Sequence, residues 1–238
     1  MVKAYPVVGK QKAVDICNAF IAGAPRNAKG SVFYGVNETN RLDWHTVKQS
    51  PQDWFYVDNS MFDAVRGQQY RISKNRIQCD PAGQVSNGFR FGKLGIDLKP
   101  WRPNIEGHYL VIEQSPSFMV TVALDPKWFE RTVKGLRDEG IRVRTRPWAR
   151  DKLEQQATLP ADLAGASTLV THSSAAAVTA VIEGIPAIVS KMSALAHMRW
   201  STDAAHDERL SYLNVLADNE WTLDRIRSGE AWEWLMKS

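Results

Sequence analysis

From residue 108 to residue 189, short runs of apolar and β-branched residues alternate with helix-like segments, and this alternation limits the possible folds more than anything else in the chain. Tyr109-Leu110-Val111-Ile112 is the kind of run that is buried on both faces of a parallel sheet. Gln114-Ser115-Pro116 then turns the chain. A helix opens near Asp125-Pro126, an N-cap followed by proline at the first helical position, and ends at Gly140. Further strands are predicted over residues 141–146, 168–171 and 187–189, with a short helix at Asp162-Leu163-Ala164 and another over 173–182 that stops at Gly184. Strands alternating with helices imply a parallel sheet with right-handed crossovers. Two last helices, over 208–216 and 222–235, are expected to pack back over this domain.

The first third reads as a helix over 10–22, a strand over 31–34 ending at Gly35, and a strand over 54–57 ending at Asp58-Asn59. Polar tips of this kind, at the carboxyl ends of parallel strands, are where open α/β sheets place ligands. Between residues 78 and 104 the pattern dissolves into Gly, Pro, Asn and Ser with scattered aromatics, so the lobe boundary is expected there.

Composition narrows the class of protein. A net charge of +4 suits anionic partners without specifying one. Cys17 and Cys79 form no C-x-x-C pair, which argues against a disulfide framework or a thiolate zinc site and for a reducing cytoplasm. The N-terminus lacks the apolar core of a signal peptide, and no stretch approaches the roughly 18 apolar residues of a membrane span. Nine tryptophans are unusual; such rings serve carbohydrate or base stacking, although most are core.

Two segments carry candidate chemistry. In Leu169-Val170-Thr171-His172-Ser173-Ser174-Ala175-Ala176-Ala177 a buried strand delivers a histidine and two serines to its tip, and a helix begins at once. Free N–H groups and the helix dipole there suit a diphosphate; a plain serine N-cap fits equally well. In Ile141-Arg142-Val143-Arg144-Thr145-Arg146-Pro147, followed by Arg150 and Lys152, the arginines at alternate positions share one face. Either an anion neutralises that face, with Arg146 on the same rim as His172, or the strand is an edge with solvated charges.

Strand-Gln-Ser-Pro, a strand ending in Arg-x-Arg-Pro, and Thr-His-Ser-Ser followed by Gly184-Ile185-Pro186 together resemble the C-terminal lobe of GT-B-type glycosyltransferases. The likeness is closest to capsule or lipopolysaccharide-type enzymes and short phage-encoded relatives. It covers about residues 108–235, and the tail from Asn219-Glu220-Trp221 onward is similar too. The resemblance implies an α/β chain of two Rossmann-like lobes: residues 1–104 as an abbreviated acceptor-side lobe, and 105–238 as the sugar-nucleotide lobe with the terminal helices. It also implies Arg144, Arg146, His172, Ser173, Ser174 and Thr179 around a donor such as a UDP-sugar, with no further cofactor and no essential metal. Thr179 stands where many members carry a glutamate that grips the ribose, and Glu183 is a different position.

On the acceptor side, an inverting transfer needs a group that takes the hydroxyl proton. Asp58 is the first candidate for this base, against the alternative that Asp58-Asn59 only caps a helix; Glu38 and His45 are weaker ones. Arg71, Lys74 and Arg76, interleaved with Tyr70 and Asn75, form either a strand edge or a basic face for DNA, which makes a hydroxymethylated base in DNA an acceptor to weigh beside surface glycans. Competing readings are a non-catalytic nucleotide- or nucleic-acid-binding module and a sugar-nucleotide epimerase.

Overall fold

A computed structural model describes residues 1–62, 65, 67–79, 84–102, 106–148, 152–196 and 206–237, the side chains of 152–157 excepted. Two sheets form. In the first, β1 (Val2–Pro6), β2 (Gly30–Tyr34) and β3 (Trp54–Asn59) are parallel, and β4 (Gln69–Lys74) runs antiparallel to β3. The second is parallel throughout, ordered β6-β5-β7-β8, from β5 (His108–Ile112), β6 (Val143–Arg146), β7 (Ala166–Thr171) and β8 (Ala187–Ile188). A last strand, β9 (Glu220–Thr222), returns to the first sheet and pairs antiparallel with β4. The mixed α/β class and Rossmann-like character expected from strand–helix alternation are present.

The helices are α1 (Gln11–Gly23), α2 (Arg41–Lys48), α3 (Phe89–Lys93), α4 (Pro116–Val122), α5 (Trp128–Asp138), α6 (Lys152–Ala164), α7 (Ala176–Ile182), α8 (His206–Asp218), α9 (Leu223–Arg227) and α10 (Glu230–Lys237). Several differ from their sequence reading. The Gln114-Ser115-Pro116 turn is the start of α4: the Phe118 N–H donates to Ser115 Oγ, and Pro116 takes an early position where its missing N–H costs nothing. The tract after residue 78 is no bare linker. Cys79, Phe91 and Leu98 from it join Leu110, Leu169 and Val181 in one core, because an irregular segment can still bury isolated apolar side chains.

The terminal segment also departs from expectation. Trp221, Ile226, Ala231 and Trp232 pack with Ile16, Phe20 and Phe55 against the first sheet, not over the second. Gly23 permits this docking: a Cβ there would stand 2.1 Å from the Ile226 carbonyl oxygen, so only glycine lets α1 and α9 approach so closely. Four of the eight described tryptophans, Trp44, Trp54, Trp221 and Trp232, are buried in the core, two of them in the Phe33, Trp44, Trp54 and Tyr56 cluster. Among the described residues no helix is long and apolar enough to cross a membrane.

Candidate active site

The carboxyl ends of both sheets face one cleft, which holds two adjoining cavities. The first, of about 230 Å³, is lined from the first sheet by Asp58, Asn59 and Arg71, and from the second by Arg146, Ser173 and Ser174. Trp148, just past β6, contributes a half-buried ring to the wall. The second cavity, of about 540 Å³, lies toward the first sheet and is lined by Lys10, Lys12, Tyr34 and Asn37 among others. Asp58, Asn59, Ser115 and Phe118 belong to both. This is the topological position where parallel α/β sheets bind ligands, duplicated by the facing lobe.

Asp58 ends β3 with its carboxylate held at both oxygens. Oδ1 accepts the Asn59 N–H at 2.8 Å, and Oδ2 pairs with Arg71 Nη2 at 2.5 Å. Asn59 Oδ1 in turn accepts the Tyr34 hydroxyl at 3.0 Å and the Lys12 ammonium at 3.1 Å. Burial, followed by the Asp58 charge, raises the Tyr34 phenol above its ordinary value, so it remains a neutral donor. Arg71 is only 6% exposed. Its place in the sheet between β3 and β9 removes it from any basic outer face, which corrects the DNA-facing reading for Arg71, while Arg76 of the same run is exposed. Lys74 is engaged too, pairing with Asp53 at 3.0 Å.

The second rim is more self-contained than its sequence suggests. Arg146 is buried and forms an ion pair with Asp162, supported by Thr158 Oγ1 at 3.0 Å. Arg144, mostly exposed, reaches the other oxygen of Asp162 at 2.6 Å and does not line the cavity. The anion that neutralises this face is therefore Asp162, a residue of the chain itself. β6 is an edge strand, which is why it tolerates alternate arginines. Arg150 and the Lys152 side chain, read with them, lie outside the described residues.

His172 stands behind the serine turn. Its Nδ1 is hydrogen-bonded to Ser173 Oγ at 3.0 Å, and its ring meets Phe118 and Trp128 edge-on, so it orients Ser173 without lining the cavity. Burial lowers the imidazole below its usual value and keeps it neutral near pH 7. Ser174 Oγ accepts the Ala176 N–H at 3.3 Å and its carbonyl accepts Ala177 N–H at 3.1 Å, so α7 is already capped from within. Thr179, on the next turn, is outside the cavity wall. Glu38 and His45 are exposed and line neither cavity.

Two supporting residues had no signal in the sequence reading. Gln78 is buried and links the lobes: its Nε2 donates to the Ser173 carbonyl at 2.9 Å, and its Oε1 accepts the Ala194 N–H at 2.7 Å. Glu220 on β9 lies opposite Arg71 in register, and its Oε1 accepts the Met61 N–H at 2.7 Å. Glu220 had been read only as part of a tail motif. Among the described residues no group of three or more His, Cys, Asp or Glu side chains is arranged to hold a metal ion.

Two α/β lobes, the first with a mixed sheet and the second with a parallel one, that turn the carboxyl ends of their parallel strands to a shared cleft have the arrangement of a Rossmann-like glycosyltransferase fold. Among solved structures, the chain is similar over 98% of its length to 99% of the "Thermosulfurimonas dismutans KpsC, beta Kdo 2,7 transferase", with a TM-score of 0.53 and 12% sequence identity. The "Thermosulfurimonas dismutans KpsC, beta Kdo 2,4 transferase" is similar over 90% of this chain and 89% of its own, at a TM-score of 0.49 and 11% identity. Both are KpsC transferases and neither is one of the phage-type relatives expected. No protein-family model and no curated protein matches the sequence.

Proposed function

We propose that the protein is a glycosyltransferase that moves a sugar from a nucleotide donor, bound at the second sheet, to a hydroxyl acceptor bound at the first. The observation that carries this reading is the position of Asp58: the residue lines both cavities, one walled by both sheets and the other chiefly by the first. A group so placed can reach an acceptor hydroxyl on one side while the donor's anomeric carbon lies on the other, which is what a general base in such a transfer needs. Ser173, Ser174 and Arg146 are the groups on the donor side that can hold phosphate oxygens. Arg146 would do so as a guanidinium already oriented by Asp162. The KpsC neighbours are named as Kdo transferases, which favours glycosyl transfer over nucleotide binding alone.

The test is a panel of sugar nucleotides screened for protection against thermal unfolding, followed by a search for transfer to hydroxyl acceptors. A donor at 100 times its dissociation constant adds about 2.7 kcal/mol of stability. Protection together with transferred sugar supports the proposal. Protection accompanied by a modified sugar nucleotide and no transfer indicates an epimerase, and no protection by any member of the panel removes the donor site.

A further inference from the structure

Across the first sheet, at the edge of the cleft, three charged residues stand in one row. Asp58 on β3 is the register partner of Arg71 on β4, and Arg71 is the register partner of Glu220 on β9. Directly opposed residues of antiparallel strands project from the same face, so the guanidinium lies between two carboxyl groups. It treats them unequally. Arg71 Nη2 pairs with Asp58 and Nε donates to the Asn59 carbonyl at 3.2 Å, whereas Nη1 is buried with no partner. On the far side Glu220 is only 2% exposed, and its Oε2 is likewise buried without a partner. An orphaned donor and an orphaned acceptor on paired residues are costly as they stand, and each is the natural complement of the other.

We propose that Glu220 is a positioning residue that acts on Asp58 through Arg71: when Glu220 is ionised its Oε2 takes up Nη1 and the guanidinium is shared, and when it is protonated Asp58 has the guanidinium to itself. The inference rests on the reading of Asp58 as the base of the transfer. A shared guanidinium pairs less closely with the Asp58 carboxylate, so the ionisation of Glu220 changes how firmly Asp58 is held at the cleft. The proton given up by Glu220 passes to solvent. Among the described residues, the charged and titratable groups around Glu220 are few. They are Arg71 on the adjacent β4, Asp58 one strand further on, Asp218 two residues earlier, and Arg90 on α3, whose guanidinium donates to the Glu220 carbonyl at 3.1 Å and to that of Asp218 at 2.8 Å. Burial pushes the Glu220 carboxyl up to about 7, against the opposing pull of the Met61 N–H, then of the Ser60 hydroxyl and of Arg71, so its ionisation falls in a range that working conditions cross.

The test is a side-chain carboxyl carbon NMR titration of the full chain from about pH 4 to about pH 9. The expected result is that Glu220 titrates near neutrality and that the Asp58 signal moves in step with it, with this second movement lost in Glu220→Gln. A Glu220 signal fully titrated below about pH 5, or an Asp58 signal that is the same in wild type and variant, overturns the proposal. Should Glu220→Gln fail to fold, the wild-type titration decides alone through the shared or separate movement of the two signals. The readout needs no turnover, so it fails independently of the transferase reading. Once a donor and acceptor are known, the same coupling predicts an ionisation near neutrality in the pH profile of kcat that Glu220→Gln abolishes while KM changes little.

Discussion

The two rims of the cleft are built on opposite electrostatic plans. At the second sheet the groups on the cavity rim are first satisfied inside the protein: Arg146 by Asp162, Ser173 by His172, and the start of α7 by Ser174. At the first sheet a buried row of charges is left incomplete, with Arg71 Nη1 and Glu220 Oε2 unpartnered, and Lys10 and Lys12 line the adjoining cavity. The second rim is thus a preorganised wall, and the first is the one whose charges can redistribute. Such preorganisation is useful where a bound group must be held still, and redistribution where a proton must move.

The largest expected effect lies at the point the rims share. Asp58→Asn keeps an oxygen for Arg71 Nη2 but removes the charge and the basicity, so transfer is expected to fall about 10²–10⁴-fold while sugar-nucleotide protection in thermal unfolding persists. Full turnover in that variant would place the base elsewhere and dissolve the contrast. Next comes the preorganised wall. Arg146→Ala leaves the buried Asp162 with the exposed Arg144 as its ion-pair partner among the described residues, and should lower stability in urea by about 3 kcal/mol even with no ligand present.

The first rim should show itself through pH. The ordinary Glu220 value of 4.5 rises in the fold to about 7. Between those values the folded protein keeps a proton that the unfolded chain has released, so raising pH through this window lowers stability, by on the order of 3 kcal/mol once both are ionised. Glu220→Gln should flatten that part of the profile, read as the difference between variant and wild type in urea at about pH 5 and about pH 8. The smallest effect belongs to Arg144→Ala, whose solvent-screened pair should cost less than about 1 kcal/mol. If it costs as much as Arg146→Ala, the wall depends on both arginines and the comparison needs redrawing.

Much of this frame was legible in the chain. The β5, β7 and β8 runs and the polar tips at Asp58 and Ser173 follow from period and β-branching, which are local properties; α5 was also legible, but it opens at Trp128 with Lys127 at its N-cap, two residues later than the Asp125-Pro126 pair suggests. What escaped reading was partnership. Arg71 looked like part of a basic surface because Arg71-x-x-Lys74-x-Arg76 is dense in charge, yet its strand is sandwiched between β3 and β9. Arg146 looked free to hold an anion because its counter-ion lies in α6, a helix of which only the last residues, 162–164, were foreseen from the sequence. The scattered apolar residues after Gln78 have no periodicity, so nothing local announces that they complete a core.

The amino-acid sequence by itself determined which residues end up at strand tips, since side-chain period and turn chemistry act over a few residues. Only the tertiary structure decided which of those residues keep an uncompensated charge. Neutralisation depends on elements far apart in the chain, as when β9 brings Glu220 beside Arg71, and Coulomb interactions in a buried sheet depend on distance in space and not on separation along the backbone.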